Sequence, residues 1–207
     1  MNYYFVFSFK ALNFVSLKRA KKALFHILIH FHMLNSSFSA VAEPFGVLAF
    51  SGSRNNTLCI DAVKSVFPSI RCGVCIYVGD ALGVDAAVRV RFPRCAVYEV
   101  ADYGVDKSAF ARRSAALVAD CVSVQGLFCS FPAKACPVGV MPSRSASACF
   151  CGKGSGSWAS LAYAVGLGCA CFVSCAPLLA PSWLESRAKY LGGGSWFVPA
   201  LEVMELF

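Results

Sequence analysis

Histidine is missing from this chain beyond residue 32: its three copies are His26, His30 and His32. His26 and His30 have i,i+4 spacing, but Ile27 stands where HExxH needs its glutamate, so the spacing does not make a zinc-protease helix. A second cysteine pair is lacking as well. Cys72 and Cys75 form a lone CxxC, and a structural zinc needs four ligands, so neither a metal nor a cofactor is expected. The apolar run from Ala23 to Leu34 is twelve residues long, short of the roughly 20 that span a bilayer. No Gly-Lys-Ser/Thr occurs, which excludes a Walker A loop, and no repeat of fixed period is present.

Acidic residues are missing from residues 1–40, which hold Lys10, Lys18, Arg19, Lys21 and Lys22. The formal charge of +8 therefore falls to +3 over residues 41–207, so a general polyanion-binding surface is not implied. The order in the first stretch, basic, then apolar, then small residues (Asn35 to Ala40), is that of a secretory signal. Three histidines and an aromatic lead-in (Tyr3 to Phe9) argue against that reading. Residues 1–43 are taken first as an N-terminal appendage, disordered or an over-extended start, second as an amphipathic surface helix, and third as a signal peptide. Residues 44–207 are taken as the domain. Twelve cysteines sit mostly inside apolar runs and read as small buried hydrophobes, which fits a reduced, cytoplasmic setting.

From residue 46 onward apolar runs alternate with helical spacing. Strands are expected at 46–50, 75–78, 95–100, 121–124 and 169–173, with helices at 57–67, 84–92, 107–119 and 156–165. The stretch 126–151, with Pro132, Pro137 and Pro142, reads as a loop or short inserted hairpin, and a last strand is expected near 201–206. Such alternation predicts a single α/β domain, a Rossmann-like parallel sheet with helices on both faces.

Three glycine-rich turns follow apolar runs: Ser51-Gly52-Ser53-Arg54, Gly79 to Asp85, and Gly152 to Trp158. Turns of this kind set backbone N–H groups and a helix N-terminus around a small volume that favours an anion. In the first, Gly52 admits a ligand, Ser53 offers a hydroxyl and Arg54 a planar cation; the plain alternative is a tight turn with a surface arginine. In the second, Asp80 and Asp85 flank Gly83 and could accept from ribose hydroxyls, or Asp85 could simply cap a helix. In the third, Gly154, Ser155, Gly156 and Ser157 can curl around a phosphate, with a structural glycine turn as the alternative. Of Arg112 and Arg113, adjacent on a helix, at most one can face the crevice; Arg112 is taken as the candidate.

The order of these segments, Gly-Ser-Arg, then Val78 to Ala87, then Ala111 to Asp120, then Gly154 to Trp158, resembles the SLOG superfamily. This Rossmann-like group joins the DNA-processing protein A (DprA/Smf) family and the lonely-guy nucleotide phosphoribohydrolases. The resemblance covers about residues 46–174 and implies a nucleotide-binding or sensing domain. It would place Gly52, Ser53 and Arg54 beside the ligand, Gly79 to Asp85 as a second wall, and Gly154 to Ser157 on the phosphate. Lonely-guy enzymes carry paired glutamates after their glycine loop, where this chain has Ala159 and Ser160. Binding is thus implied more strongly than hydrolysis, and no catalytic residue is assigned. The alternatives are a DprA-like module for single-stranded DNA, with Phe150 and Trp158 as stacking platforms beside basic residues, and a weak nucleotide N-glycosidase using Asp80 or Asp85. A nucleotide-like small molecule is the expected partner, no membrane span is expected, and a homo-oligomer is compatible with the reading.

Overall fold

In a computed structural model the chain is described over residues 32–175 and 178–201. Seven strands form one sheet: β1 (Val47–Gly52), β2 (Cys75–Gly79), β3 (Ala96–Tyr98), β4 (Leu127–Phe131), β5 (Ala170–Ser174), β6 (Lys189–Gly192) and β7 (Ser195–Val198). Their order is β3-β2-β1-β4-β5-β7-β6. The first five are parallel, and β7 runs antiparallel to β5 and to β6. This is an α/β Rossmann-like domain.

Alternation along the buried strands sorts the core into two layers. Leu48 and Phe50 of β1, with Phe131 and Phe172, face one side; Ala49, Phe128, Cys171 and Val173 face the other. The first side is covered by α2 (Thr57–Val66) and α3 (Val84–Arg91), the second by α4 (Ala109–Ser123) and α6 (Gly156–Gly166). Helix α6 is apolar nearly all round, from Trp158 to Val165. It is held between the sheet and the short helices α5 (Ala146–Cys149) and α7 (Ser182–Glu185), with Trp158 and Trp183 edge to face at 6.1 Å.

Three sequence expectations are corrected. The strand expected at 121–124 is the last turn of α4, because Cys121 continues the buried stripe of Leu117 and Val118. The central strand β4 follows it, inside the segment taken for a loop; Gln125, at φ 53°, breaks the helix and Gly126 leads into the strand. The glycine run Gly192 to Gly194 turns the β6–β7 hairpin.

The third correction concerns the appendage. Residues 32–42 form helical turns, α1, and Leu34, Phe38 and Ala42 are buried in the first core layer. Phe38 meets Phe172 edge to face at 5.0 Å, and Ser37 donates to the Leu191 carbonyl at 3.1 Å. The domain therefore includes this helix. The expected signal-like segment before residue 32 and positions 202–206 of the expected last strand lie outside the described residues.

Candidate functional site

The strand order reverses direction between β1 and β4. Connections from β1 run through α2, β2, α3 and β3 to one side, and those from β4 through α6 to β5 on the other. At such a switch point the two loops that leave the carboxyl ends diverge and open a crevice. A cavity of about 310 Å³ lies there, lined by parts of all three glycine-rich turns. Ser51, Gly52, Ser53 and Arg54 form one wall, Ala81 and Asp85 a second, and Ser155, Gly156 and Ser157 a third, with Arg113, Ser114, Ala133 and Lys134 completing it.

Backbone contacts tie the first wall to the end of β4 and to the second wall. The Ser53 N–H donates to the Phe131 carbonyl at 3.1 Å, and the Val84 N–H donates to the Ser53 carbonyl at 3.0 Å. Gly83, at φ 73°, is packed on the Ser53 and Arg54 backbone, so any side chain there would collide with it. Helix α2 is closed at its start by Asn56, whose side chain accepts from the Cys59 N–H at 3.0 Å. Helix α6 has no such side-chain cap. Its entry runs through Gly154 at φ 87° and Ser155 at φ 54°, a left-handed approach that turns its first residues, Gly156 and Ser157, to the cavity. The first amides of a helix have no intrahelical acceptor and carry the positive end of its dipole.

The two arginines of α4 point in different directions: Arg113 lines the crevice, and Arg112, the residue expected there, does not. Arg112 turns away from the crevice to Asp106, at 2.7 Å, and to the Tyr103 carbonyl at 2.8 Å. Its hydrogen bonds hold the exposed Asp106 carboxyl below the usual carboxylate range. Arg113 points inward and is buried. Its guanidinium lies against Gly79, where no side chain would fit, 3.4 Å from the Asp85 carboxylate and 3.6 Å from that of Asp80. Burial pushes the Asp85 carboxyl above its usual range, and Arg113 and Arg89 pull it part of the way back. Asp85 opens α3 without acting as its side-chain cap.

Of the candidate residues, Gly52, Ser53, Arg54, Asp85, Ser155, Gly156 and Ser157 line the cavity. Gly79, Asp80 and Gly83 stand behind the second wall, and Gly154 shapes the entry to α6. Ser114 and Lys134 are cavity residues that were not among the candidates. Lys134 follows β4, and locating that strand correctly would have put it at a carboxyl end. The lining carries three cations, Arg54, Arg113 and Lys134, against one carboxylate, Asp85. Ala159 and Ser160 are buried inside α6. Trp158 is fully buried and donates its indole N–H to the Lys134 carbonyl at 2.6 Å, so it offers no face to a base.

A larger cavity, about 1040 Å³, lies at the opposite end of the sheet, among Phe45, Val122, Leu167 and Leu201, with Arg144 its one charged residue. It lacks the converging turns of the smaller one. Among the described residues no helix is long and apolar enough to cross a membrane, and no group of three or more His, Cys, Asp or Glu is placed to hold a metal. Comparison with family models, curated proteins and solved structures finds no match for the chain.

Proposed function

We propose that the crevice between the ends of β1 and β4 binds a nucleotide or nucleotide-derived anion through its phosphate, in the manner of a SLOG-type binding domain. The observation that carries this reading is the lining itself. The uncapped start of α6 and three cations surround a cavity that holds a single carboxylate, and a phosphate is stabilised by such a helix terminus and by bidentate arginine contacts. At about 310 Å³, the space is at the small end of ligand sites, which favours a mononucleotide over a dinucleotide.

Binding without efficient N-glycosidic cleavage follows from the residue types available. General acid–base catalysis contributes typically 10²–10⁴-fold, and Ala159 and Ser160 supply no carboxylate where the resembling hydrolases carry glutamates. A nucleoside monophosphate panel in a thermal-shift assay tests the reading. A ligand at 100 times its Kd stabilises by about 2.7 kcal/mol, and Lys134→Ala should weaken the binding several-fold. Absence of any shift, or rapid release of free base, would contradict it.

A further inference from the structure

Helix α4 ends and strand β5 begins beside the larger cavity, at the amino ends of the parallel strands, and each brings a thiol there. Cys121, on the inner face of α4, is fully buried. Cys169 follows the turn at Gly168 and precedes β5, with its N–H donating to the Ala164 carbonyl at 3.0 Å. The two sulfurs are 4.0 Å apart. Gly126 lets them meet: its carbonyl accepts from the Cys169 thiol at 3.4 Å, and its N–H donates to the Cys121 carbonyl at 2.8 Å. A side chain at this position would run into the Cys121 sulfur. Access separates the pair, because Cys169 lines the cavity of about 1040 Å³ whereas Cys121 does not.

We propose that Cys169 is a peroxide-reactive cysteine and Cys121 its resolving partner, so that a hydroperoxide entering the larger cavity closes a Cys121–Cys169 disulfide. The Cys169 sulfur attacks the peroxide: an S–O bond forms, the O–O bond breaks, and the leaving oxygen takes up the thiol proton. A sulfenic acid remains on Cys169. Cys121 then attacks that sulfur, so the S–S bond forms, the S–O bond breaks, and hydroxide departs as water with the Cys121 proton. The two thiols give up two electrons, and hydrogen peroxide is reduced to two molecules of water. The sulfurs must close from 4.0 Å to about 2.05 Å, a shift that two side chains share. The Cys121 thiol, as a hydrogen-bond donor, pulls the Cys169 thiol below its usual range against the effect of burial, and the thiolate is the reactive form. Cys171 does not compete as the partner, since its own thiol donates to the Cys169 carbonyl at 3.3 Å. In a reducing compartment such a bond is transient, as redox-sensing disulfides are.

Peptide mapping of the native, unaltered chain tests this. The protein is treated with hydrogen peroxide, remaining thiols are blocked, and digests with and without reductant are compared by mass spectrometry. The linked Cys121–Cys169 peptide should form and be released by reductant, while Cys129 and Cys171, fully buried and outside the cavity lining, stay free. Cys121→Ser should stop at a Cys169 sulfenic acid, captured by dimedone, whereas Cys169→Ser should leave Cys121 unmodified. Persistence of both thiols at a peroxide dose that oxidises the exposed Cys72, Cys75 and Cys151 would overturn the proposal. So would a link that appears only together with oxidation of Cys129 and Cys171, which marks opening of the fold, or oxidation of Cys121 as fast in Cys169→Ser as in the unaltered chain. Because the link is read on the unaltered chain, a variant that fails to fold does not remove the test.

Discussion

At the scale of single residues, the crevice depends on groups that leave no room for others. The Arg113 guanidinium and the Asp85 carboxylate occupy the space where a side chain at position 79 would stand. Gly79→Ala must push this buried pair aside, and overpacking of this kind costs about 1–3 kcal/mol, readable as a lower urea midpoint. Asp85 makes a pH prediction. Its carboxyl titrates above 3.8 in the folded chain because burial outweighs the pull of Arg113 and Arg89. As pH rises from 3.8 toward the folded value, the unfolded chain releases this proton first, so stability falls across that window. Asp85→Asn should remove that component, seen as a flatter stability profile at mildly acidic pH; an unchanged slope would show that Asp85 titrates normally.

At the scale of elements, α1 carries the clearest expectation. Phe38 is fully buried and packs on Phe172 of β5, so Phe38→Ala should cost about 3–5 kcal/mol, measured by chemical denaturation. A chain starting at Ala42 loses Leu34 and Phe38 together and should fail to fold, whereas a stable domain from Ala42 would show that α1 contributes little. This helix was hard to read because its apolar stripe merges with the uninterrupted apolar, basic stretch before it, where no break marks an entry into the core. The glycine turns were legible because a strand that ends in Gly-Ser-Arg or Gly-Asp announces a change of direction. By contrast, the short apolar runs 121–124 and 127–131 look alike in sequence, and periodicity over four or five residues does not separate a buried helix turn from a buried strand. That ambiguity hid β4, and with it Lys134. Arg112 and Arg113 were separated only by the packing of α4, since adjacent residues on a helix project about 100° apart.

For the molecule as a whole, the site is a consequence of strand order. Placing β4 beside β1 sends successive connections to opposite sides and opens the crevice where the first and third turns face each other. Most of the basic excess lies in residues 1–40, so the crevice's positive lining is a local arrangement and not a reflection of net charge. The most direct measurement is a crystal structure of the protein with the nucleoside monophosphate that gives the largest thermal shift. The account predicts phosphate density at the start of α6, against Gly156 and Ser157, with the glycosidic bond intact. Density in the cavity at the opposite end of the sheet, or an empty crevice at saturating ligand, would contradict it.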